Sequence, residues 1–135
     1  MQELVKKSIK NYVYGPHPRN VFDLWLADSD KPTPIIVWIH GGGFMFGSKE
    51  ESTLVCLMKR ALAEGISFAS INYRLSQQEP FPAPFIDGGR ALQNIRLHSK
   101  RWNIDPSRVI ASGSSARLLR QLSCSIHQIN HYQTI

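Results

Sequence analysis

Beyond Asp105 this sequence has no carboxylate: its ten acidic residues all lie at or before that position. Residues 106–135 therefore offer no acid to a reaction that needs one there. Cysteine is nearly as scarce. Cys56 and Cys124 fit no metal or redox spacing, and two cysteines do not make a disulfide framework. No apolar run approaches the roughly 18 residues that cross a bilayer, so no membrane span is expected. The start of the chain, Met1 to Lys7, carries basic residues with no apolar core or cleavage site behind them. That pattern is not a secretory leader, and the expectation is an intracellular, cytoplasmic protein. Long basic runs are missing too. The net charge of +6 is spread along the chain, with nothing longer than the pairs Lys6-Lys7, Lys59-Arg60 and Lys100-Arg101. Without a clustered patch or a recognisable module, a nucleic-acid partner is not expected.

What is present suits one globular domain: 135 residues, 42% of them apolar. Residues 8–14 and 21–26 read as short strands joined by the turn-rich stretch 15–20, which favours an antiparallel pair. Residues 28–34 form a second loop. Ile35 to Ile39 then run as a continuous β-branched and aromatic stretch, the pattern of a strand covered on both faces. A helix is expected from about Lys49, because Ser48 and Glu51 have capping-box spacing. Leu54, Val55, Met58, Ala61 and Leu62 would form its apolar face, and Gly65 its left-handed stop. Residues 67–73 give another strand and 74–84 a Pro-rich loop. A second helix is predicted over 85–101, with Leu92, Ile95 and Trp102 on one side. An Asp105-Pro106 turn then leads into a strand over 108–112. Alternating strands and helices predict an α/β fold with a mostly parallel sheet.

Two motifs sit at the ends of these strands. His40-Gly41-Gly42-Gly43-Phe44 follows the run 35–39, and Gly113-Ser114-Ser115-Ala116 follows the run 109–112. A serine on a sharp strand-to-helix turn projects its Oγ above a sheet, and the next amide, that of Ala116, turns back toward the same point. Three successive glycines let backbone N–H groups approach a substrate closely. Such donors stabilise the oxyanion of a tetrahedral intermediate by about 2.7–4 kcal/mol each. The pairing points to acyl transfer, with Ser115 as nucleophile and the amides of Gly42, Gly43 and Ala116 as oxyanion hole. His40 and Gly41 belong to the supporting loop, and His40 reads as a brace for that loop rather than a base. Phe44 and Phe46 either line an acyl or alcohol pocket or pack beneath the loop.

With these residues the chain resembles the α/β-hydrolase fold, in the branch of esterases and lipases marked by a His-Gly-Gly-Gly oxyanion loop. Asn72-Tyr73-Arg74-Leu75 and residues 103–109 resemble two further stretches of the same carboxylesterase-like enzymes. The resemblance covers roughly residues 8–116. It implies the amino-terminal part of an α/β-hydrolase, with two antiparallel leading strands and flanking helices. It also implies a serine ester hydrolase acting through an acyl-serine intermediate on small, uncharged acyl esters, without cofactor. Asp87 and Arg96 match helix positions with a structural role.

The chain departs from that family in two ways. Arg117 stands where the elbow would have its second glycine. The family also places an acid and then a histidine after the serine, whereas His127 and His131 follow Ser115 with no carboxylate. His127 would stand about 18 Å along a helix from Ser115, out of its reach. These two histidines have a metal-ligand spacing but no third partner, so no metal is expected. The sequence therefore divides into 1–116, the hydrolase-like part, and 117–135, an atypical tail reading as a helix followed by disorder. Premature termination or a shifted reading frame accounts for such a tail, and a genuine short variant is the alternative. The alternative function is a catalytically inert, hydrolase-derived chain that works by binding or by self-association through an exposed sheet edge.

Overall fold

Among the described residues, five strands form one sheet, in which the spatial order is first, second, fourth, third and fifth along the chain. The structure, a computed structural model, describes residues 5–114, so the expected tail 117–135 lies outside the described residues. The strands are β1 (Val5–Val13), β2 (Val21–Ala27), β3 (Thr33–Ile39), β4 (Ser67–Ile71) and β5 (Ile104–Gly113). Helices α1 (Leu54–Ala63) and α2 (Ala83–Leu97) connect β3 to β4 and β4 to β5. β1 and β2 pair antiparallel, as do β2 and β4, while β3 runs parallel to both β4 and β5. The α/β class and the antiparallel leading pair are as the sequence pattern predicts.

Side-chain alternation builds a layer on each face of the sheet. Phe22, Leu24, Ile35, Val37, Ile39, Ala69 and Ile71 join Ala91, Leu92, Ile95 of α2 and Trp102 in the larger cluster. Trp25, Ile36, Trp38 and Phe68 point the other way, onto Leu54, Met58, Ala61 and Leu62 of α1. Successive residues of a strand face opposite sides, so each central strand serves both layers. The two crossovers explain why α1 and α2 lie on opposite faces. The chain steps from β3 to β4, then back across β3 to β5, and right-handed crossovers in opposite directions place their helices on opposite sides. The carboxyl end of β3 is thereby the point where the strand order reverses, where ligands bind in open α/β sheets.

Three expected boundaries move. The first helix begins at Leu54 and not near Lys49, because the two cap residues are used otherwise: Ser48 Oγ accepts from the Glu50 N–H, and Glu51 Oε2 accepts from Trp38 Nε1. Its stop at Gly65, φ +76°, is as expected, with Gly65 and Ile66 N–H returning to the carbonyls of Leu62 and Ala61. α2 ends at Leu97 rather than residue 101, and turns through 98–103 carry the chain to Asn103 at φ 53°. The Asp105-Pro106 turn lies inside β5 as a register shift between the Thr33–Ile104 and Ile35–Val109 pairs. Asp105 Oδ1 stabilises it by accepting from the Ser107 N–H and Oγ–H.

Candidate functional site

The two glycine motifs meet at the carboxyl ends of β3 and β5. Ile39 is the register partner of Gly113, so the loop leaving β3 and the turn leaving β5 start side by side. Contact between them is tight. A Cβ on Gly113 would stand 2.5 Å from the Ile39 carbonyl oxygen, and one on Gly41 would stand 2.6 Å from Ser114 Oγ. Only glycine lets the first approach occur, because the obstructing atom is backbone. Ser115 and Ala116 lie outside the described residues.

The loop from His40 to Lys49 is folded by its own glycines. Gly42 (φ +116°), Gly43 (φ +59°) and Gly47 (φ +103°) all occupy the left-handed half of backbone space, and Phe44 joins them at φ 63°. The Gly42 carbonyl accepts from the Met45 N–H at 3.0 Å and the Phe46 N–H at 3.4 Å, closing a turn. Among the described residues, neither the Gly42 nor the Gly43 N–H donates a hydrogen bond. The loop also leans on the stretch after β4, where the Ser76 N–H donates to the Phe44 carbonyl at 2.6 Å. The two loop aromatics part company. Phe44 packs on Tyr73 and Phe85 with centroids 6.1 and 5.1 Å away, whereas Phe46 is 70% exposed.

His40 is completely buried and stacks flat on Tyr73, rings 4.3 Å apart and inclined by 11°. The Tyr73 hydroxyl donates to the His40 carbonyl at 2.7 Å. Of the ring nitrogens, Nδ1 lies 2.8 Å from the Gly41 carbonyl oxygen and Nε2 lies 3.3 Å from Arg19 Nη2. A guanidinium can only donate, so the hydrogen-bond network assigns the proton to Nδ1 and the lone pair to Nε2. Burial, foremost, lowers the His40 pKa; its bond to Gly41 opposes this, and weaker effects come from the Arg19 charge, which lowers it, and the Glu51 charge, which raises it. Burial likewise pushes the Tyr73 phenol up to about 12.

A stability consequence follows from His40. Its folded-state pKa lies below the ordinary 6.5 of histidine, so below that pH the unfolded chain binds a proton that the folded chain refuses. The stability it contributes is present above about pH 6.5 and is lost as the pH falls, at no more than about 1.4 kcal/mol per pH unit for one proton. Urea denaturation of the wild type and His40→Asn at pH 7.5 and 5.5 measures this. The gap between them should narrow at the lower pH, and a constant gap would assign the effect elsewhere.

Asn72, Tyr73 and Arg74 each hold a different segment. Asn72 Oδ1 accepts from the Lys49 N–H at 2.7 Å, Tyr73 supports His40, and Arg74 forks onto Asp87 with Nε and Nη2 each at 2.9 Å. Asp87 is fully buried and also accepts from the Arg74 N–H at 2.9 Å, which ties α2 to the end of β4. Its oxygens are thus engaged in structure. Sequence reasoning misses Arg19, which has no local signal in a turn-rich loop. It also misses the role of Tyr73, although the motif around that residue marks the position.

Among the described residues, no group of three or more His, Cys, Asp or Glu side chains could hold a metal ion, and no helix is long and apolar enough to cross a membrane. A cleft of about 600 Å³ lies at the other end of the sheet, between Pro32, Lys100, Asn103 and Pro106. It is separate from the glycine loop.

Residues 22–117 match the BD-FAE family. The chain is 30% identical over 83 residues to "Esterase LipI" of Mycobacterium tuberculosis (strain ATCC 25618 / H37Rv), covering 62% of this chain and 26% of that protein. It is 31% identical over 128 residues to "Esterase" of Gibberella moniliformis (strain M3125 / FGSC 7600), covering 86% of this chain and 39% of that protein. Among solved structures, an ester hydrolase from the metagenome of Lake Arreo, complexed with a derivative of bipyridine phosphonate, superposes with a TM-score of 0.74. The identity there is 26%, over 93% of this chain and 41% of that one. The chain thus spans between a quarter and two fifths of the length of these two curated relatives.

Proposed function

The chain belongs to the BD-FAE family, and from that premise we propose that it carries the nucleophile and oxyanion-hole part of a carboxylic ester hydrolase. The α/β-hydrolase fold it shares with esterases supports this. The single observation that carries the reading is the meeting of the two glycine motifs at the carboxyl ends of β3 and β5, where the strand order reverses. Ser115 is the nucleophile. Its Oγ attacks the ester carbonyl carbon, the alcohol leaves with the serine proton, and water later cleaves the acyl-serine bond, while the acid and base of the triad are the parts that this chain is read as lacking. The Gly42, Gly43 and Ala116 amides receive the oxyanion, and neither of the two glycine amides is committed elsewhere among the described residues. His40 and Gly41 support the loop. His40 is not the general base in this reading, because its one acceptor nitrogen faces the Arg19 guanidinium. The substrate is a small-molecule ester.

A fluorophosphonate tests this directly, since its phosphorus is attacked by an activated serine with loss of fluoride. The full chain should take up one label, and peptide mapping should place it on Ser115. Ser115→Ala should take up none. Failure of folded protein to label removes the catalytic reading for this chain and favours the second one, a hydrolase-derived chain that associates through its sheet. One observation supports that alternative: among the described residues β5 is a sheet edge, and its Ile110 is half exposed.

A further inference from the structure

We infer that Arg19 is a positioning residue for the oxyanion loop, holding the His40 imidazole in the Nδ1–H form so that it fixes the Gly41 carbonyl and thereby aims the Gly42 N–H. The inference rests on the ester-hydrolase reading of Gly42.

Arg19 comes from the β1–β2 connection, far from the glycine motifs in sequence, yet its guanidinium ties three segments of the site together. Nε donates to the Tyr73 carbonyl at 2.7 Å, and Nη2 faces His40 Nε2 at 3.3 Å and donates to the Gly47 carbonyl at 3.0 Å. His40 opens the loop and Gly47 is its last glycine, so one planar fork spans the whole glycine-bearing stretch. The planar fork makes these bonds at low entropic cost.

The imidazole is what Arg19 acts through. A neutral histidine has one donor and one acceptor nitrogen, and the bond made by one nitrogen decides which carries the proton. The other tautomer would set an Nε2–H against the Arg19 N–H groups and a Nδ1 lone pair against the Gly41 oxygen, two repulsions in a buried site. With the proton on Nδ1 both contacts are bonds. Glu51 and Arg19 are the charges that act on the ring, and the Tyr73 hydroxyl lies 3.3 Å from Nδ1, where, its own proton given to the His40 carbonyl, it faces Nδ1 as an acceptor.

The last step is peptide geometry. In a planar trans peptide the C=O and N–H point in opposite directions. Holding the Gly41 carbonyl against His40 Nδ1 turns the Gly42 N–H of the same peptide away from the ring. Tyr73 does the same one peptide earlier by holding the His40 carbonyl. At Gly42, where φ is +116° and no side chain restricts the backbone, such external bonds set the direction of the donor.

The experiment is a long-range proton–nitrogen correlation spectrum of the uniformly ¹⁵N-labelled full chain, which distinguishes protonated from unprotonated ring nitrogens. In the wild type, His40 should show Nδ1 protonated and Nε2 bare. In Arg19→Met the ring should pass to a tautomer mixture and the Gly42 amide resonance should move. Amide resonances of the β1–β2 ladder away from the loop should stay in place. Fluorophosphonate uptake at Ser115 should slow on the order of 10–100-fold, the range for a misplacement of about 1 Å. Should the methionine variant not fold, Arg19→Lys should shift the tautomer in the same direction by less, since one ammonium cannot reach all three partners. A wild-type His40 protonated on Nε2, or a folded variant with an unchanged ring spectrum, overturns the inference. The tautomer is read without any catalysis, so a wild type that fails to label leaves this result intact and counts only against the hydrolase reading.

Discussion

Gly42→Ala should lower the rate of fluorophosphonate labelling at Ser115 on the order of 10²–10³-fold, the usual effect of losing one oxyanion donor. A Cβ built on Gly42 stands 2.1 Å from the Phe46 carbonyl oxygen and 2.8 Å from its carbon. Both obstructing atoms are backbone, so no side-chain rotation can relieve the clash. The φ of +116° adds strain for any residue with a side chain. The turn closed by Met45 and Phe46 onto the Gly42 carbonyl must therefore open, and the Gly42 N–H turns with it. Gly43 supplies the control. Its φ of +59° is also left-handed, but among the described residues a Cβ there meets nothing within 4 Å. Gly43→Ala should add about 1–2 kcal/mol of local strain and leave the amide in place, with labelling slowed less than tenfold. Equal rates for Gly42→Ala and the wild type would remove Gly42 from the oxyanion hole.

Features of the chain that depend on neighbours in sequence are readable from it, and those that depend on distant partners are not. The continuous apolar run of residues 35–39 is visible because each central strand serves two cores, one under α2 and one under α1. The glycines at 42 and 43 are visible because their left-handed backbone is a local demand, whereas the need for glycine at 113 comes from the Ile39 carbonyl of a distant strand. By contrast, Ser48 and Glu51 have the spacing of a helix cap, yet Trp38 Nε1 donates to Glu51 from an earlier strand. Nothing at position 49 shows that a residue 26 positions earlier will claim its ammonium group. Arg19 is hidden for the same reason. Its partners Tyr73, His40 and Gly47 come together only once β2 lies antiparallel beside β4. Asp87 shows the reverse: the sequence motif implies a structural role, and the fork from Arg74 is the physical reason.

Lys49→Met should destabilise the fold by about 3–5 kcal/mol, the range for removing one partner of a buried ion pair. Lys49 Nζ lies 2.9 Å from Asp23 Oδ2, and the two side chains are only 5% and 3% exposed. Taking away the ammonium leaves the Asp23 carboxylate enclosed with the Asn11 N–H at 2.8 Å and the exposed Lys10 ammonium at 3.5 Å. Lys10 is 60% exposed and replaces little of the lost attraction, because water screens it. The main-chain bonds of Lys49, from its N–H to Asn72 and to its carbonyl from Ser70 Oγ, survive the change. The loss is therefore electrostatic and not a detachment of the segment. Asp23→Asn combined with Lys49→Met isolates that cause. With no charge left uncompensated, the double variant should recover most of the stability that Lys49→Met loses, giving strong non-additivity in urea denaturation midpoints. Additive losses would mean that the two side chains stabilise the fold through packing alone. The pair also fastens the far end of the glycine loop to β2, so Lys49→Met under conditions where it remains folded should label more slowly at Ser115 than the double variant.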